Sequence, residues 1–481
     1  MADLTDRYDV AVIGGGITGL AAGLELLKQG DCDVTVFESA EQVGGKLQTT
    51  DIGSVTVDAG AESMLAVRPE ALRMAAEVGL KPSIVHPASR TAYVLSGGHL
   101  RELPVGLVSG VPTDMRSLAA ARIMSLPGLL RIPIDQLKSR PEVADDVSVG
   151  EFISERMGRE VVDRLTEPLL AGVYAGNPDE LSLRMVNPSL FRQLARDKSL
   201  LQAARAVRSG SAIAAGARRG PVFAGLRNGV ARLASKSAEV LVAQGAHVRT
   251  GCTVKNLRRS GRRWQVTGSK GTFEFDAVVL AVPAAQAATL LRTSAPFAAA
   301  QLRSIDAASV AVVTLAYRTS QVPELAGTGF LVPPIEDYHV KGVTFVTNKW
   351  EWAARAAKTA TPRGLTIVRA SYGRYGDDAV LERDDEALAS LARAELGAIV
   401  GLPPVTVDHR VTRWSKALPQ YRVGHVDVVN RARESLADAP GVALAGASYD
   451  GVGIASCIAS GRQAAKKVAR ELSEDVVENY G

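Results

Sequence analysis

The chain has 481 residues, of which 46% are hydrophobic and 22% are charged, and its formal net charge is +5 at pH 7. This composition excludes a fibrous or intrinsically disordered protein, and the length predicts two or three structural units. The positive charge favours an acidic partner, and a polyacidic small molecule satisfies it as well as nucleic acid does.

Cysteine usage and hydropathy limit where the protein works. Cys32, Cys252 and Cys457 are odd in number, far apart and without a CxxC pair, which argues against a disulfide framework. The N-terminal residues lack the basic region and apolar core of a signal peptide. No stretch reaches the roughly 18 consecutive apolar residues of a membrane-spanning helix. We therefore expect a cytoplasmic protein with at most peripheral membrane contact.

The first segment, YDVAVIGGGITGLAAGLELLKQGDCDVTVFES, predicts a strand, a helix to about Gln29 and a second strand that ends at Glu38. A GxGxxG turn between strand and helix is typical of dinucleotide binding, with the pyrophosphate at the helix N-terminus and the carboxylate on a ribose hydroxyl. A tight turn without a ligand is the alternative. The candidate cofactor residues of this segment are Gly14, Gly15, Gly16, Ile17, Thr18, Gly19, Glu38 and Ser39.

The continuation EQVGGKLQT adds Gly45 and Lys46 as candidate cofactor residues. A second glycine pair followed by a cation resembles the extension of the two-dinucleotide-binding flavoproteins, which indicates FAD rather than NAD. Many of those proteins have arginine where this chain has Lys46. Lysine keeps the positive charge but cannot make the two parallel hydrogen bonds that an arginine guanidinium makes to a phosphate. A glycine hairpin is the alternative.

Two segments in the middle have ambiguous patterns. Residues 116–140 alternate apolar and arginine residues at helical intervals, as in a helix on a membrane surface or one packed on a core. We predict packing on the core, with two prolines interrupting any long helix. Residues 198–236 contain eight cations and no acidic residue; without aromatic residues suitable for stacking bases, we predict a solvated loop and no nucleic-acid partner.

The stretch EPLLAGVYAGNPDELSL, residues 167–183, combines a helix end, glycines, a tyrosine and an Asn-Pro turn. It is too irregular for plain core and predicts a bound ligand.

Residues 441–466 predict a strand, a glycine turn and a small-residue helix that begins near Val452. A helix N-terminus aimed at a flavin ring would stabilise negative charge on the reduced ring, although a packing unit without a ligand would have the same pattern.

Together these segments resemble the flavin amine oxidase superfamily and, within it, the porphyrinogen oxidases. The resemblance runs essentially end to end, and its specific blocks are AGVYAG and the Pro-Gln-Tyr of RWSKALPQYRVGH, residues 413–425. The pattern is more similar to the bacterial coproporphyrinogen III oxidases than to the mitochondrial or plastid protoporphyrinogen enzymes. The tetra-acid substrate also suits a basic chain.

The resemblance implies an α/β fold with a discontinuous, Rossmann-like FAD-binding domain of the two-dinucleotide-binding type, a mixed-sheet substrate domain and an inserted helical domain. The FAD-binding domain would comprise residues 1–60, 213–290 and 436–481. The substrate domain would comprise 61–95 and 291–435, and the helical domain, which associates with membranes in the family, would comprise 96–212.

Further site residues follow from the resemblance alone. The implied cofactor contacts are Gly60, Ala61, Glu62, Ser63, Val254, Trp414, Gly446, Val452, Gly453 and Ile454. The implied substrate contacts are Arg68, Gly172, Tyr174 and Gly176. For Arg68 the alternative is a solvated arginine at a helix start.

The implied reaction is the oxidation of coproporphyrinogen III to coproporphyrin III in haem biosynthesis, with molecular oxygen as acceptor and three hydrogen peroxide molecules formed. A hydride would pass from a meso carbon to flavin N5, so no catalytic side chain and no metal are predicted. The resemblance also implies a transient contact with the next enzyme of the haem pathway. Protoporphyrinogen IX oxidase, amine oxidase, carotenoid desaturase and a non-catalytic flavin-fold escort protein remain alternatives.

Overall fold

The structure is a computed structural model that describes residues 7–140, 145–214 and 221–480. In chain order the strands are β1 (Tyr8–Ile13), β2 (Cys32–Phe37), β3 (Thr49–Ile52), β4 (Val55–Asp58), β5 (Met64–Leu65), β6 (Ile84–Val85), β7 (Tyr93–Ser96), β8 (His99–Glu102), β9 (Leu107–Val108), β10 (Val111–Pro112), β11 (Phe223–Leu226), β12 (His247–Arg249), β13 (Val254–Ser260), β14 (Arg263–Gly268), β15 (Gly271–Phe275), β16 (Ala277–Leu280), β17 (Ala307–Arg318), β18 (Gly329–Leu331), β19 (Gly342–Phe345), β20 (Leu365–Tyr372), β21 (Asp408–Pro419) and β22 (Val442–Leu444). The helices are α1 (Ile17–Gln29), α2 (Pro69–Glu77), α3 (Met115–Ala121), α4 (Leu126–Arg131), α5 (Val149–Met157), α6 (Arg159–Val161), α7 (Glu167–Tyr174), α8 (Leu183–Val186), α9 (Pro188–Leu194), α10 (Leu200–Ala214), α11 (Arg232–Ala243), α12 (Ala284–Leu291), α13 (Pro296–Arg303), α14 (Val346–Lys349), α15 (Glu351–Ala360), α16 (Asp385–Val400), α17 (His425–Glu434), α18 (Ala447–Asp450) and α19 (Ile454–Tyr480).

A parallel sheet joins distant parts of the sequence, with strand order β12-β2-β1-β16-β22. Its strands are nearly continuous buried apolar runs such as YDVAVI and AVVL, as expected where both faces of a parallel sheet are covered. Helices α1 and α19 pack against each other over this sheet. An added Cβ at Gly461 of α19 would lie 2.1 Å from the Thr18 carbonyl oxygen, so only glycine allows this contact.

A small antiparallel sheet, β13-β14-β15, covers the opposite face of the parallel sheet. Its Trp264 and Phe275 share a buried core with Phe37 of β2 and with the apolar faces of α12, α13 and α17.

A mixed sheet of order β21-β17-β20-β19-β18-β7-β8 forms the second large unit. Strands β18 and β7 pair in parallel, while the other neighbouring strands pair antiparallel. Helix α16 packs on this sheet through Leu388, Ala392 and Leu396, which share a core with Val313 and Tyr317 of β17.

The helices from α3 to α10 surround a core of their own, which includes the fully buried Leu118, Ile153, Leu165 and Leu200. The predicted solvated loop over residues 198–236 is wrong in part: residues 200–214 form α10, because Leu200, Leu201, Ala203 and Ala204 recur at helical spacing and are buried. Residues 215–220 of that segment lie outside the described residues.

The predicted domain boundaries stay a proposal, which the fold refines at two places. Gly97 and Gly98, both with positive φ, make the tight turn between β7 and β8. Because that hairpin belongs to the mixed sheet, we propose that the helical domain begins after β10 and not at residue 96. Helix α2 packs with the parallel sheet through Ala71 and Met74, although it falls in the predicted segment 61–95.

Residues 116–140 form short helices, α3 and α4, followed by a 3₁₀ turn over Ile132–Leu137. Pro127 and Pro133 each occupy the first turn of a helical segment, where a missing N–H is tolerated. In the described ranges no helix is both long enough and apolar enough to cross a membrane.

Candidate active site

The turn after β1 has the backbone that a dinucleotide site requires. Gly14 has φ +111°, and a Cβ there would lie 2.5 Å from the Ala281 carbonyl oxygen. A Cβ on Gly19 would lie 1.9 Å from the Gly14 carbonyl oxygen, so helix and turn approach as closely as backbone allows. Gly16 is the N-cap of α1 and supplies no side-chain hydrogen bond to it. The amide groups of the first helical turn are therefore available to an anion.

Glu38 lies against this turn. Its Oε2 accepts a 2.8 Å hydrogen bond from the Gly15 amide, while its Oε1 accepts from the amide of Ala40 at 2.8 Å and from Ser39 Oγ at 3.1 Å. The carboxylate is thus held at the carboxyl edge of the parallel sheet, beside the first turn of α1.

The second glycine pair packs on the first. Gly16 and Gly44 form a parallel bridge, and a Cβ on Gly45 would lie 3.3 Å from the Gly16 Cα. Lys46 follows with an exposed side chain, yet the surrounding protein lowers its pKa because it desolvates the ammonium group. A desolvated ammonium group near the first turn of α1 suits an anionic ligand, and a Cβ on Gly16 would meet only the Gly45 Cα, at 3.9 Å.

Residues 59–63 form a loop, here called the cofactor loop, that is held from the mixed sheet. Arg369 Nη1 donates to Glu62 Oε2 at 2.8 Å, and its Nη2 donates to the carbonyl oxygens of Ala59 at 3.2 Å and Gly60 at 2.7 Å. Lys349 Nζ donates to Glu62 Oε1, and Trp414 Nε1 donates to the Ala59 carbonyl oxygen at 3.4 Å. The predicted residues Gly60, Ala61, Glu62 and Ser63 therefore share one rigid loop beside Trp414.

The C-terminal segment returns to the same edge of the parallel sheet. After β22, the Gly446 amide donates to Ser460 Oγ at 2.8 Å, and Gly451 and Gly453 have φ values of +112° and +99° that lead into α19. Val452 packs against the helical core, and Ile454 begins the helix. Val254 is half-buried and begins β13 opposite Gly268, two residues after Cys252, whose amide donates to the Glu38 carbonyl oxygen.

The AGVYAG block forms the second half of α7 and the residues after it. A π-helical turn over Val162–Thr166 leads directly into α7, and such turns are frequent at functional sites. Gly172 and Val173 are exposed, whereas Tyr174 contacts the ring of Tyr421 edge-on with centroids 5.6 Å apart. Gln420 Nε2 donates to the Tyr174 carbonyl oxygen at 2.8 Å, so the two family blocks meet in space.

Gly176 is explained by this contact, because a Cβ there would lie 2.6 Å from Gln420 Oε1. Arg68, by contrast, pairs with Glu70 at 3.1 Å. It lines a cavity of about 340 Å³ together with Met185 of α8 and Arg433 of α17. The structure thus brings Gly172, Tyr174 and Gly176 together and gives Arg68 different neighbours.

Sequence reasoning missed several residues that organise the site. Arg369 and Lys349 hold the cofactor loop, and Gln420 and Tyr421 hold the end of α7. Only the Pro-Gln-Tyr block carried a signal for any of them. Within the described ranges, no three His, Cys, Asp or Glu side chains form a group that could hold a metal ion.

Comparison with known proteins agrees with this geometry. Residues 17–469 match the family described as flavin containing amine oxidoreductase. The chain is 33% identical over 470 residues to the coproporphyrinogen III oxidase of Bacillus subtilis, covering 95% of this chain and 97% of that protein. It is 34% identical over 471 residues to the coproporphyrinogen III oxidase of Mycobacterium bovis, covering 97% and 98%.

A crystal structure from Exiguobacterium sp. 255-15, of a protein named provisionally as a protoporphyrinogen oxidase, superposes with a TM-score of 0.84 at 29% identity, covering 98% of this chain and 100% of that one. The chain belongs to the flavin containing amine oxidoreductase family. The predicted fold class, the predicted family and the predicted flavin cofactor are confirmed.

Proposed function

We propose that this protein is an FAD-dependent oxidase that converts coproporphyrinogen III to coproporphyrin III in haem biosynthesis. The observation that carries the proposal is identity of 33–34% over nearly the full length to bacterial coproporphyrinogen III oxidases. The reaction removes six electrons and six protons, and with oxygen as acceptor it yields three hydrogen peroxide molecules. FAD, when bound, accepts two electrons in each of three rounds, which is chemistry that side chains do not supply.

The chain's own residues bind and orient the two molecules. We propose that the turn from Gly14 to Gly19 and the α1 N-terminus hold the pyrophosphate, with Lys46 adding charge, and that Glu38 accepts from the ribose. The cofactor loop, Trp414 and residues 451–454 would hold the ring system. The amides at the start of α19 favour negative charge on that side of the ring.

The wall for the macrocycle is the open face of α7. Gly172 and Val173 expose backbone and a small apolar side chain, a surface suited to the flat, apolar part of a tetrapyrrole. Glycine at 172 leaves the facing Leu331 side chain 3.7 Å from where a Cβ would be. We propose Gly172, Tyr174 and Gly176 as substrate residues, and Arg68 as a cation for a propionate that reaches the cavity beside α19.

Protoporphyrinogen IX is the second candidate substrate, and the name of the Exiguobacterium protein favours it. The two substrates differ in their number of propionates, four against two. The test is aerobic porphyrin fluorescence from the purified flavoprotein with each porphyrinogen in parallel, subtracting the oxidation without enzyme, together with peroxide per porphyrin. Faster turnover of the tetra-acid with a ratio near three supports the proposal, whereas a preference for the di-acid or no turnover overturns it.

We also propose that the protein works in the cytoplasm with peripheral membrane contact. Its cysteines are free in the structure, as in a reducing compartment. Leu126, Leu130 and Leu137 are 69%, 66% and 86% exposed on the short helices after α3, and Arg131 and Lys138 lie among them. Replacing the three leucines by serine should abolish sedimentation with anionic vesicles, and unchanged sedimentation would contradict the contact. Contact with the next haem enzyme stays a prediction.

A further inference from the structure

Both ends of α7 are fixed by the same three residues, 373–375, here called the anchor loop. At the N-terminal end, Arg374 Nε donates to Glu167 Oε1 at 3.1 Å. At the C-terminal end, the Tyr375 amide donates to the carbonyl oxygen of Ala175, the residue that follows the helix, at 2.6 Å. This short loop after β20, together with Gln420 at the C-terminal end, therefore positions the helix that carries Gly172 and Tyr174.

The Arg374 guanidinium also reaches the strand that faces α7. Its Nη2 donates to the Val332 carbonyl oxygen at 2.7 Å, and its Nη1 is 3.5 Å from the His339 carbonyl oxygen. Val332 follows Leu331, whose side chain faces Gly172. Arg374 thus joins α7 to this strand beside the point where Leu331 packs against Gly172.

The ionic contact is buried. Glu167 is 7% exposed, Arg374 is 14% exposed at its side chain, and Glu167 Oε2 has no hydrogen-bond partner in the described part of the chain. Lys341 is 3% exposed and donates to the Gly373 carbonyl oxygen at 2.7 Å. The anchor loop is therefore tied to the interior by a second cation next to the first.

Both titrating groups of this cluster change charge near neutrality. Burial raises the pKa of Glu167 to about 7, against the attraction of Arg374 and Lys341, and Asp163 raises it further. Burial lowers the pKa of Lys341 to about 7, repulsion from Arg374 adds to this, and Glu167 opposes it. As pH rises from 6 to 8, Glu167 gains its negative charge and Lys341 loses its positive charge. Glu167 then pairs with Arg374 as a full carboxylate.

We propose that Arg374 is a positioning residue for the substrate, because its contacts with Glu167 and Val332 fix the distance between α7 and the strand that carries Leu331. This inference rests on the proposed function, since the open face of α7 is the wall assigned to the macrocycle. Arg374 has no described contact with the glycine turn or the cofactor loop, so its role concerns the substrate and not FAD.

The decisive comparison is of Arg374→Gln and Arg374→Lys with the wild-type holoenzyme. We expect the KM for coproporphyrinogen III to rise about tenfold in Arg374→Gln, with kcat changed less than about twofold and the flavin absorption spectrum retained; a tenfold change corresponds to about 1.4 kcal/mol. The KM of Arg374→Lys should lie between those of the wild type and Arg374→Gln, since lysine keeps the positive charge but not the several N–H donors of the guanidinium. Binding of the product, coproporphyrin III, should weaken in parallel.

The Glu167→Gln variant adds a readout that a merely structural role would not change. The wild-type KM should fall as pH rises from 6 to 8, and the KM of Glu167→Gln should change less over that range, because only Lys341 still titrates there. This variant also keeps the shape of the side chain, so it tests the inference if Arg374→Gln does not fold. Arg413→Gln is the matched control, since Arg413 holds the carbonyl oxygens of Leu381 and Arg383 and does not contact α7.

The outcomes separate two failures. Wild-type enzyme without porphyrinogen turnover would overturn the proposed function, and this inference with it. An active wild type with an unchanged KM in Arg374→Gln, or with the same pH profile in Glu167→Gln, would overturn only the role of Arg374.

Discussion

Tyr421 contacts the ring of Tyr174 edge-on at 5.6 Å and donates its hydroxyl to the carbonyl oxygen of Ala447. One buried side chain therefore touches both the proposed substrate wall and the segment that follows Gly446. Tyr421 is fully buried, so the spacing of these two parts of the site is set by packing rather than by a mobile loop.

Replacing Tyr421 separates the ring contact from the hydrogen bond. Tyr421→Phe keeps the ring and should lower the free energy of unfolding by about 1 kcal/mol, the usual net value of one hydrogen bond. Tyr421→Ala also loses the ring and should cost about 3–5 kcal/mol. Urea unfolding of the holoprotein measures both. Equal losses in the two variants would mean that the ring contact contributes nothing.

Arg369 should control FAD affinity rather than substrate affinity. Arg369→Lys keeps a charge for Glu62 but loses the separate Nη2 group that donates to two carbonyl oxygens of the cofactor loop. We expect the Kd for FAD to rise about tenfold, or about 1.4 kcal/mol, measured by flavin fluorescence on reconstitution of the apoprotein. Arg410→Lys, at an exposed position of β21, is the control. An unchanged Kd in Arg369→Lys would show that the loop keeps its shape without the fork.

Lys46 should act through its charge. Lys46→Met keeps most of the side-chain length, and FAD binding should weaken about tenfold and become less sensitive to salt, because one phosphate interaction is lost. Titrations at low and high ionic strength measure this. Lys28→Met removes a cation from the far end of α1 and should leave FAD binding unchanged. If both variants weakened FAD binding equally, Lys46 would act only through the net charge of the protein and not through a contact with a phosphate.

Because the His425 imidazole is buried, we expect it to lower the stability of the folded protein in acid. It is 4% exposed, and its ring contacts that of Tyr421 at a tilt, with centroids 4.7 Å apart. Its Nε2 has no hydrogen-bond partner among the described residues. Burial lowers its pKa from 6.5 to about 4. Below pH 6.5 the unfolded chain binds a proton that the folded chain does not bind until about pH 4, so stability is lost as pH falls through this window.

The loss at His425 is bounded at roughly 3 kcal/mol by the size of the pKa shift. His425→Gln should show a shallower decrease in unfolding free energy between pH 6.5 and 4 than the wild type. His86→Gln, which alters an exposed histidine, should follow the wild-type curve. Parallel curves for all three proteins would mean that His425 titrates normally.

The parts of the fold that were predictable from sequence are those coded locally. The first βαβ unit reads directly from its apolar strands, its helical period and Gly14, Gly16 and Gly19. The AGVYAG block was recognisable because Gly172 and Gly176 break an apolar run of sequence at the end of a predicted helix. Each of these signals lies within about thirty residues.

The rest could not be predicted because it depends on contacts distant in sequence. Arg369 is one of many arginines, and nothing near it in sequence indicates that it meets Gly60 and Glu62. The contact of Arg374 with α7 likewise could not be predicted, because the anchor loop lies about 200 residues after α7 in the sequence. The predicted boundary at residue 96 divides the hairpin of β7 and β8, because these strands are short and the partner strand β18 lies far along the chain.

The close approach of Gly461 to Thr18 has a consequence for how the protein matures. Helix α19 and strand β22 complete the sheet that β1 begins, and residues 451–454 supply one side of the proposed flavin site. During synthesis, a ribosome must therefore translate beyond residue 461 before the nascent chain can close around FAD. The N-terminal glycine turn is therefore synthesised more than 400 residues before the segment that would complete the proposed flavin site.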